Sequence, residues 1–242
     1  MSRKKLKTIG VLGGMGPEAG ARFLEEVIRA CGAGRDQDHP PVVLYSLPQV
    51  PDRTEAILHG GPDPVPALRR GLAVLAGAGA DFAALACISA HYFLPRLAPR
   101  SPLPILDLIE AILAEVRALE PRPEAVGLLA TSGTVRSGLV TARFEAAGLR
   151  VIVPPARGQA RVMTAIYGKN GIKAGITAGP PREALLEAAG ELARAGAQAV
   201  LAGCTEVPLV LRPGDLSVPF LDPMVLGARA AVRRAGAPLR RC

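Results

Sequence analysis

The sequence predicts an α/β fold. It comprises two similar lobes related by a pseudo-twofold axis, each a mostly parallel sheet flanked by helices, with the active site in the cleft between them. Three observations predict it: apolar runs alternating with amphipathic stretches, a core rich in small aliphatic residues, and an internal repeat.

The alternation comes first. Residues 8–12, 42–47, 82–86, 125–129, 151–153 and 199–201 are short, nearly continuous apolar runs. Runs of that length and character read as strands covered on both faces. Between them, 19–31, 67–78, 108–119 and 182–195 carry apolar residues at helical spacing. Strands that alternate with helices imply parallel pairing with helical crossovers.

Composition agrees. Hydrophobic residues make up 49% of the 242, yet aromatics are only 3% and Trp is absent. Packing therefore falls to Ala, Leu, Val and Ile, which suits close contact of helix on sheet. No apolar run reaches the roughly 18–20 residues that span a bilayer. The basic start, with Arg3, Lys4, Lys5 and Lys7, has no apolar stretch or cleavage signal after it. It reads as a solvated leader on a cytoplasmic protein. Arg233, Arg234, Arg240 and Arg241 add basic charge at the other end. The net charge of +8 comes without a nucleic-acid module or interleaved aromatics. A nucleic-acid or membrane partner is thus not expected, whereas a small anionic substrate would be drawn in.

The repeat is the most informative feature. Ile9-Gly10-Val11-Leu12 echoes Val126-Gly127-Leu128-Leu129, and the segment from Gly79 to Cys87 echoes that from Gly196 to Cys204. Gly10 precedes Cys87 by 77 positions, and Gly127 precedes Cys204 by the same 77. Pro104-Ile105-Leu106-Asp107 is then matched by Pro219-Phe220-Leu221-Asp222. The predicted lobes are 1–107 with 222–242, a discontinuous first lobe, and 108–221. Each copy ends a buried strand on a cysteine, and ligands of open α/β sheets bind beyond the carboxyl ends of strands.

That placement suggests a chemistry. A stereocentre beside a carboxylate is inverted when its proton leaves on one side and another arrives on the opposite side. Two thiols on opposite faces, one ionised and one protonated, do this directly. A helix beginning just after each cysteine is expected to lower the thiol's pKa. No pyridoxal motif or metal cluster is visible, so cations and backbone amides must stabilise the carbanion. Cys31 and Cys242 have no repeat partner and are read as non-catalytic.

Several motifs resemble the aspartate/glutamate racemase family, and its aspartate racemase branch in particular. They are Ile9 to Ala19 with its Gly-Gly-Met-Gly-Pro turn, Pro51-Asp52-Arg53-Thr54, Cys87 with Ala90-His91-Tyr92-Phe93, Ile166-Tyr167 with Ile172-Lys173-Ala174-Gly175, and Gly203-Cys204-Thr205-Glu206-Val207-Pro208-Leu209. The resemblance runs over essentially the whole chain. It implies a cofactor-independent racemase of an amino acid, aspartate first, acting as a homodimer, with Cys87 and Cys204 as acid/base thiols. It also implies that Arg53 and Lys173 hold the substrate carboxylates, and that Met15, Gly16, Ser89, Thr131, Thr205 and Glu206 complete the substrate site. Glu206 favours the aspartate branch, because the glutamate branch carries His there. The chain departs from the family in having Ile88 and Ser89 where Asn-Thr is usual. Ile88 has no side-chain donor for a carboxylate.

Other readings remain open on the residues alone. A hydantoin racemase, a maleate isomerase, a decarboxylase, or a racemase of glutamate or another amino acid would use the same scaffold. A non-catalytic small-molecule binder is a further alternative. Lys173 lies in a glycine-flanked loop, 168–175, that is a candidate lid. His91 is read as structural or as an interface residue, and Asp107 and Asp222 as anchors of the lobe connections. His39 and His59 lie apart in polar loops, so no metal site is proposed. Gly14-x-Gly16-x-x-Ala19 matches a dinucleotide fingerprint formally, but Pro17 interrupts it and no acidic residue closes a second strand.

Overall fold

In a computed structural model, described for residues 5–240, the chain forms two α/β units. Arg3, Lys4, Arg241 and Cys242 lie outside the described residues. The elements run β1 (Ile9–Gly13), α1 (Pro17–Ala30), β2 (Val42–Ser46), α2 (Arg53–Leu58), α3 (Val65–Gly77), β3 (Phe82–Leu85), α4 (Leu94–Leu97), β4 (Ile105–Leu106) and α5 (Leu108–Arg117). They continue with β5 (Ala125–Leu129), α6 (Ser132–Arg136), α7 (Thr141–Ala146), β6 (Arg150–Ile152), α8 (Ala156–Tyr167), α9 (Pro180–Arg194), β7 (Ala199–Ala202), α10 (Val207–Val210), β8 (Phe220–Leu221) and α11 (Pro223–Ala235). Among the described residues, no helix is long and apolar enough to cross a membrane.

The first unit comprises the chain up to Pro51, Asp63–Ala111 and the chain from Met224. Its sheet has the order β2-β1-β3-β4, and every pair is parallel. The second unit comprises Asp52–Pro62 and Ile112–Pro223, with the parallel order β6-β5-β7-β8. The central strands β1, β3, β5 and β7 are wholly buried, which is why they lack polar alternation. The outer strands β4 and β8 have two residues each, too short for a pattern of their own.

Equivalent residues build both units. Gly10 lies in β1 because a Cβ there would stand 2.9 Å from Ala80 Cβ and 3.3 Å from Leu75 Cδ1. Gly127 lies in β5 for the matching reason: its Cβ would meet Leu192 Cβ at 2.9 Å and Ala197 Cβ at 3.1 Å. The helices α3 and α9 both end on a left-handed glycine, Gly79 at φ 86° and Gly196 at φ 95°. In each, the following residue's N–H returns to the leucine five positions back: Ala80 to Leu75 at 3.1 Å and Ala197 to Leu192 at 3.0 Å. This closure needs a residue with no Cβ penalty at positive φ. The side chains next in line, Asp81 and Gln198, then tie down the starts of the neighbouring strands. Thr8 N–H donates to Asp81 at 2.6 Å, and Glu124 N–H donates to Gln198 Oε1 at 2.6 Å.

In the second unit, α8 presents Val162, Ala165 and Ile166 toward Leu185, Ala188, Ala189 and Leu192 of α9. Each fully buried Leu, Ile or Val contributes about 1.5–3 kcal/mol by leaving water. The segment Asp52–Pro62 groups with this unit rather than with the first lobe to which the sequence reading gave it. The reason is a close approach. Gly133 of α6 has no room for a Cβ, which would stand 2.9 Å from Thr54 Cα in α2. Thr54 Oγ1 also donates to Thr131 Oγ1 at 3.2 Å.

The shared steric constraint gives the first prediction. Gly10→Ala destabilises the protein by about 1–3 kcal/mol in denaturant melts, and Ala80→Gly in the same chain recovers part of the loss. No loss of stability in Gly10→Ala would contradict the packing described.

Candidate active site

In each sheet, the strand order turns outward in opposite directions from the middle pair, β1 with β3 and β5 with β7. Side chains just past the ends of such a pair line the place where open α/β sheets hold ligands. In the first unit that place receives Met15 and Gly16, which follow β1, and Cys87 and Ser89, which follow β3. Cys87 is 4% exposed, and its Sγ lies 3.4 Å from Ser89 Oγ. Ile88, between them, is buried and brings no donor.

The backbone around Cys87 is held by His91. This imidazole is fully buried. Its Nδ1 lies 2.9 Å from the Cys87 carbonyl oxygen, and its Nε2 lies 3.1 Å from the Leu108 N–H. Asp107 Oδ1 accepts from the next two N–H groups, Ile109 at 3.0 Å and Glu110 at 3.4 Å. Together, Asp107 and His91 satisfy the first turn of α5.

In the second unit, Thr131 follows β5, and Cys204, Thr205 and Glu206 follow β7. All four are buried. Cys204 Sγ donates to Glu206 Oε2 at 2.8 Å, and Thr205 Oγ1 donates to the same oxygen at 3.3 Å. The other carboxylate oxygen, Oε1, accepts from Lys173 Nζ at 2.7 Å. Burial pushes the Cys204 thiol well above the ordinary thiol range. The Glu206 charge pushes it the same way, and the Lys173 ammonium offsets part of that effect. Lys173 sits in a 3-10 turn, Ile172–Ala174, closed by Gly175 in the left-handed region at φ 89°. There Gly175 N–H donates to the Ile172 carbonyl at 2.9 Å.

Arg53 opens α2, whose cap is Asp52: its Oδ1 accepts from Glu55 N–H at 2.9 Å. The arginine is 6% exposed. Tyr167, at the end of α8, donates its hydroxyl to Asp52 Oδ2 at 2.8 Å and lies 3.4 Å from Thr54 Oγ1. Its ring also lies 5.3 Å from Lys173 Nζ, a cation–π distance. Burial raises the phenol's pKa and the Asp52 carboxylate adds to the rise, so Tyr167 remains a hydrogen-bond donor. Tyr167 thus joins the turn that carries Lys173 to the helix that carries Arg53. A hydroxyl chain continues from Thr54 to Thr131 and on to Thr134, the last step being 3.5 Å.

The second unit therefore brings together Arg53, Thr131, Lys173, Cys204, Thr205 and Glu206. The first holds Met15, Gly16, Cys87 and Ser89. Reading the sequence did not single out Thr54 or give Tyr167 a role. Their signal was the motif position of each, beside Arg53 and shortly before Lys173. One expectation is corrected. After Cys87 a 3-10 turn, Ser89–Phe93, does run into α4, but the helix that follows Cys204 is the single turn Val207–Val210, too short for a substantial dipole. At Cys204 the net effect of the surroundings is to raise the thiol's pKa, not to lower it.

The chain is similar to known proteins over nearly its whole length. The family model described as Asp/Glu/Hydantoin racemase matches residues 12–231. The chain is 27% identical over 230 residues to the broad specificity amino-acid racemase RacX of Bacillus subtilis, covering 93% of this chain and 96% of that protein. Among solved structures, it superposes on Picrophilus torridus aspartate racemase with a TM-score of 0.84 and 30% identity, over 97% of this chain and 96% of that one. The fold is shared with a Francisella tularensis glutamate racemase solved with D-glutamate, at a TM-score of 0.65 and 17% identity, covering 95% of this chain and 81% of the other. With its two parallel sheets and a family match spanning nearly all of its length, the chain belongs to the Asp/Glu/hydantoin racemase family and is an isomerase of the amino-acid racemase kind.

Proposed function

We propose that the protein interconverts the enantiomers of an acidic amino acid, aspartate before others, by proton transfer between the substrate's α-carbon and two thiols, Cys87 and Cys204, with no cofactor. The observation that carries this reading is the matched position of the two cysteines, each two residues past the end of a central strand in equivalent sheets.

In one direction, the Cys87 thiolate takes the α-proton and the Cys204 thiol returns one to the opposite face. Cys87 is then a thiol and Cys204 a thiolate. The other enantiomer runs the same steps backward, which microscopic reversibility requires. Cys204 is supplied as the donor because Glu206 holds its proton in place. Glu206 acts on the thiol rather than on the substrate, since both of its oxygens face protein groups. Arg53 and Lys173 take the two carboxylates and offset the charge that grows on the α-carbon's neighbour. Met15, Gly16, Ser89, Thr131 and Thr205 line the site.

A second reading has an observation of its own. Ile88 places an apolar, buried side chain where the family usually has an amide, which favours a broader range of amino acids. A chiral assay of all the proteinogenic amino acids separates the two. Aspartate turning over fastest supports the first reading, and a non-acidic amino acid turning over fastest supports the second. Cys87→Ser and Cys204→Ser each lower racemisation by about 10²- to 10⁴-fold, the range for loss of a general acid or base. Full activity in either variant would remove the two-thiol mechanism.

The proton on Cys204 can be tested separately. Glu206→Gln removes the charge that raises the Cys204 pKa and leaves the Lys173 ammonium that lowers it. The thiolate fraction at neutral pH therefore rises. Iodoacetamide labelling read by peptide mass is expected to be faster at Cys204 in Glu206→Gln than in the parent, with a free cysteine peptide added to both samples as the reference. An unchanged Cys204 rate would contradict the role given to Glu206.

A further inference from the structure

The two units treat the residues around their cysteines differently. Four positions past Cys204 stands Pro208, where the first unit has His91 past Cys87. After the matched aspartates, Leu108 in the first unit corresponds to Pro223 in the second. Pro223 opens α11 with no N–H, so no acceptor is needed there, and Pro208 offers no side-chain acceptor. Leu108 opens α5 with an N–H in a buried place, and His91 Nε2 accepts it at 3.1 Å. The fold can thus start this helix without a histidine. The histidine occurs only beside Cys87.

A second contrast points the same way. Glu206, two positions past Cys204, corresponds to Ser89, two positions past Cys87. The second thiol has a charged partner two residues away, whereas the first has a hydroxyl 3.4 Å off. What the first thiol has in addition is a hydrogen bond to its own carbonyl, from His91 Nδ1 at 2.9 Å. The tautomer follows from the partners. A backbone N–H can only donate, so Nε2 facing Leu108 is unprotonated. The proton of the neutral ring is then on Nδ1, where a carbonyl can only accept it.

We propose that His91 is a positioning residue for Cys87, fixed as the Nδ1–H tautomer, which holds the strand exit carrying that thiol to the first turn of α5. This rests on the reading of Cys87 as one of the two acid/base thiols. The two contacts that place His91 are to backbone, the Cys87 carbonyl at Nδ1 and the Leu108 N–H at Nε2. It sets where the sulfur stands, and a misplacement of about 1 Å at a reacting atom can cost on the order of 100-fold in rate.

The test uses the full-length protein and three variants. His91→Asn keeps an amide donor at the Nδ1 position, facing the Cys87 carbonyl. His91→Gln reaches the Nε2 position, facing Leu108, and His91→Ala keeps neither. The expected result is that His91→Asn holds kcat for the best substrate within about threefold of the parent. His91→Gln and His91→Ala lose about 10- to 100-fold in kcat with KM nearly unchanged, although His91→Gln melts at or above the temperature of His91→Asn. A purely structural histidine predicts instead that kcat follows the melting temperature through the three variants, and that outcome overturns the proposal. Two further readouts do not depend on racemisation. Nitrogen NMR of the parent is expected to show His91 with a protonated Nδ1 and a bare Nε2. The iodoacetamide rate at Cys87 is expected to change in His91→Gln and His91→Ala but not in His91→Asn. A protonated Nε2, or a Cys87 rate the same in all three variants, overturns the proposal. A parent that racemises no amino acid, with these two readouts as expected, removes the proposed function and leaves the positioning of Cys87 standing.

Discussion

Where the strand order of a parallel sheet reverses, the crossovers leave on opposite sides and the two middle strands end with nothing drawn across them. Both units of this protein meet that constraint with the same order of four strands, and both put a cysteine two residues beyond the third. Within each unit, other candidate residues share that placement. Met15 and Gly16 in one unit, and Thr131 in the other, stand past the first strand of the pair. A strand end is a rigid support, and a thiol that exchanges protons with carbon needs one, because proton transfer is steeply sensitive to distance.

The duplicated scaffold does not give its two thiols the same surroundings. Cys204 lies in a buried chain of sulfur, carboxylate and ammonium, in which Glu206 stands between the thiol and Lys173. Removing charges from water is costly, and the chain is tolerable because each charged group has a partner within hydrogen-bond distance. Cys87 has no charged group two residues on. It has Ser89 at its sulfur and His91 at its carbonyl. The surroundings thus act on the proton at one thiol and on the backbone at the other. Tyr167 serves the second unit in a similar way, since one side chain contacts both the cap of the helix bearing Arg53 and the ammonium of Lys173.

Much of this was legible in the sequence, for reasons that can be named. The equal spacing from Gly10 to Cys87 and from Gly127 to Cys204 is the trace of a physical equivalence. Each glycine makes room for a leucine and an alanine 117 positions apart from their counterparts, Leu75 and Ala80 against Leu192 and Ala197. The central strands were readable because burial on both faces leaves only apolar residues. The outer strands β4 and β8 were not, because two residues carry no periodicity, although the segments that hold them repeat. The helix Ala156–Tyr167 escaped because its buried face is narrow, consisting of Gly158, Val162, Ala165 and Ile166, and so offers little apolar signal. The grouping of Asp52–Pro62 with the second unit was invisible, since it depends on Gly133 approaching Thr54, a contact between residues far apart in the chain. The candidate site residues were named from motifs, but the direction of the Cys204 shift was not legible there. A helix dipole was expected where a one-turn helix occurs, and burial of the thiol, with the Glu206 carboxylate two residues away, raises its pKa instead.

The central claim is that protons leave and arrive on opposite sides of one carbon through two different groups. It is tested most directly by following the first few per cent of turnover of one aspartate enantiomer in heavy water. The account predicts deuterium at the α-carbon of the newly formed enantiomer and none in the remaining starting enantiomer, because the acceptor thiol does not return its proton to the face it came from before the product departs. Deuterium entering the starting enantiomer as fast as the product would mean a single base serves both faces, and would contradict it.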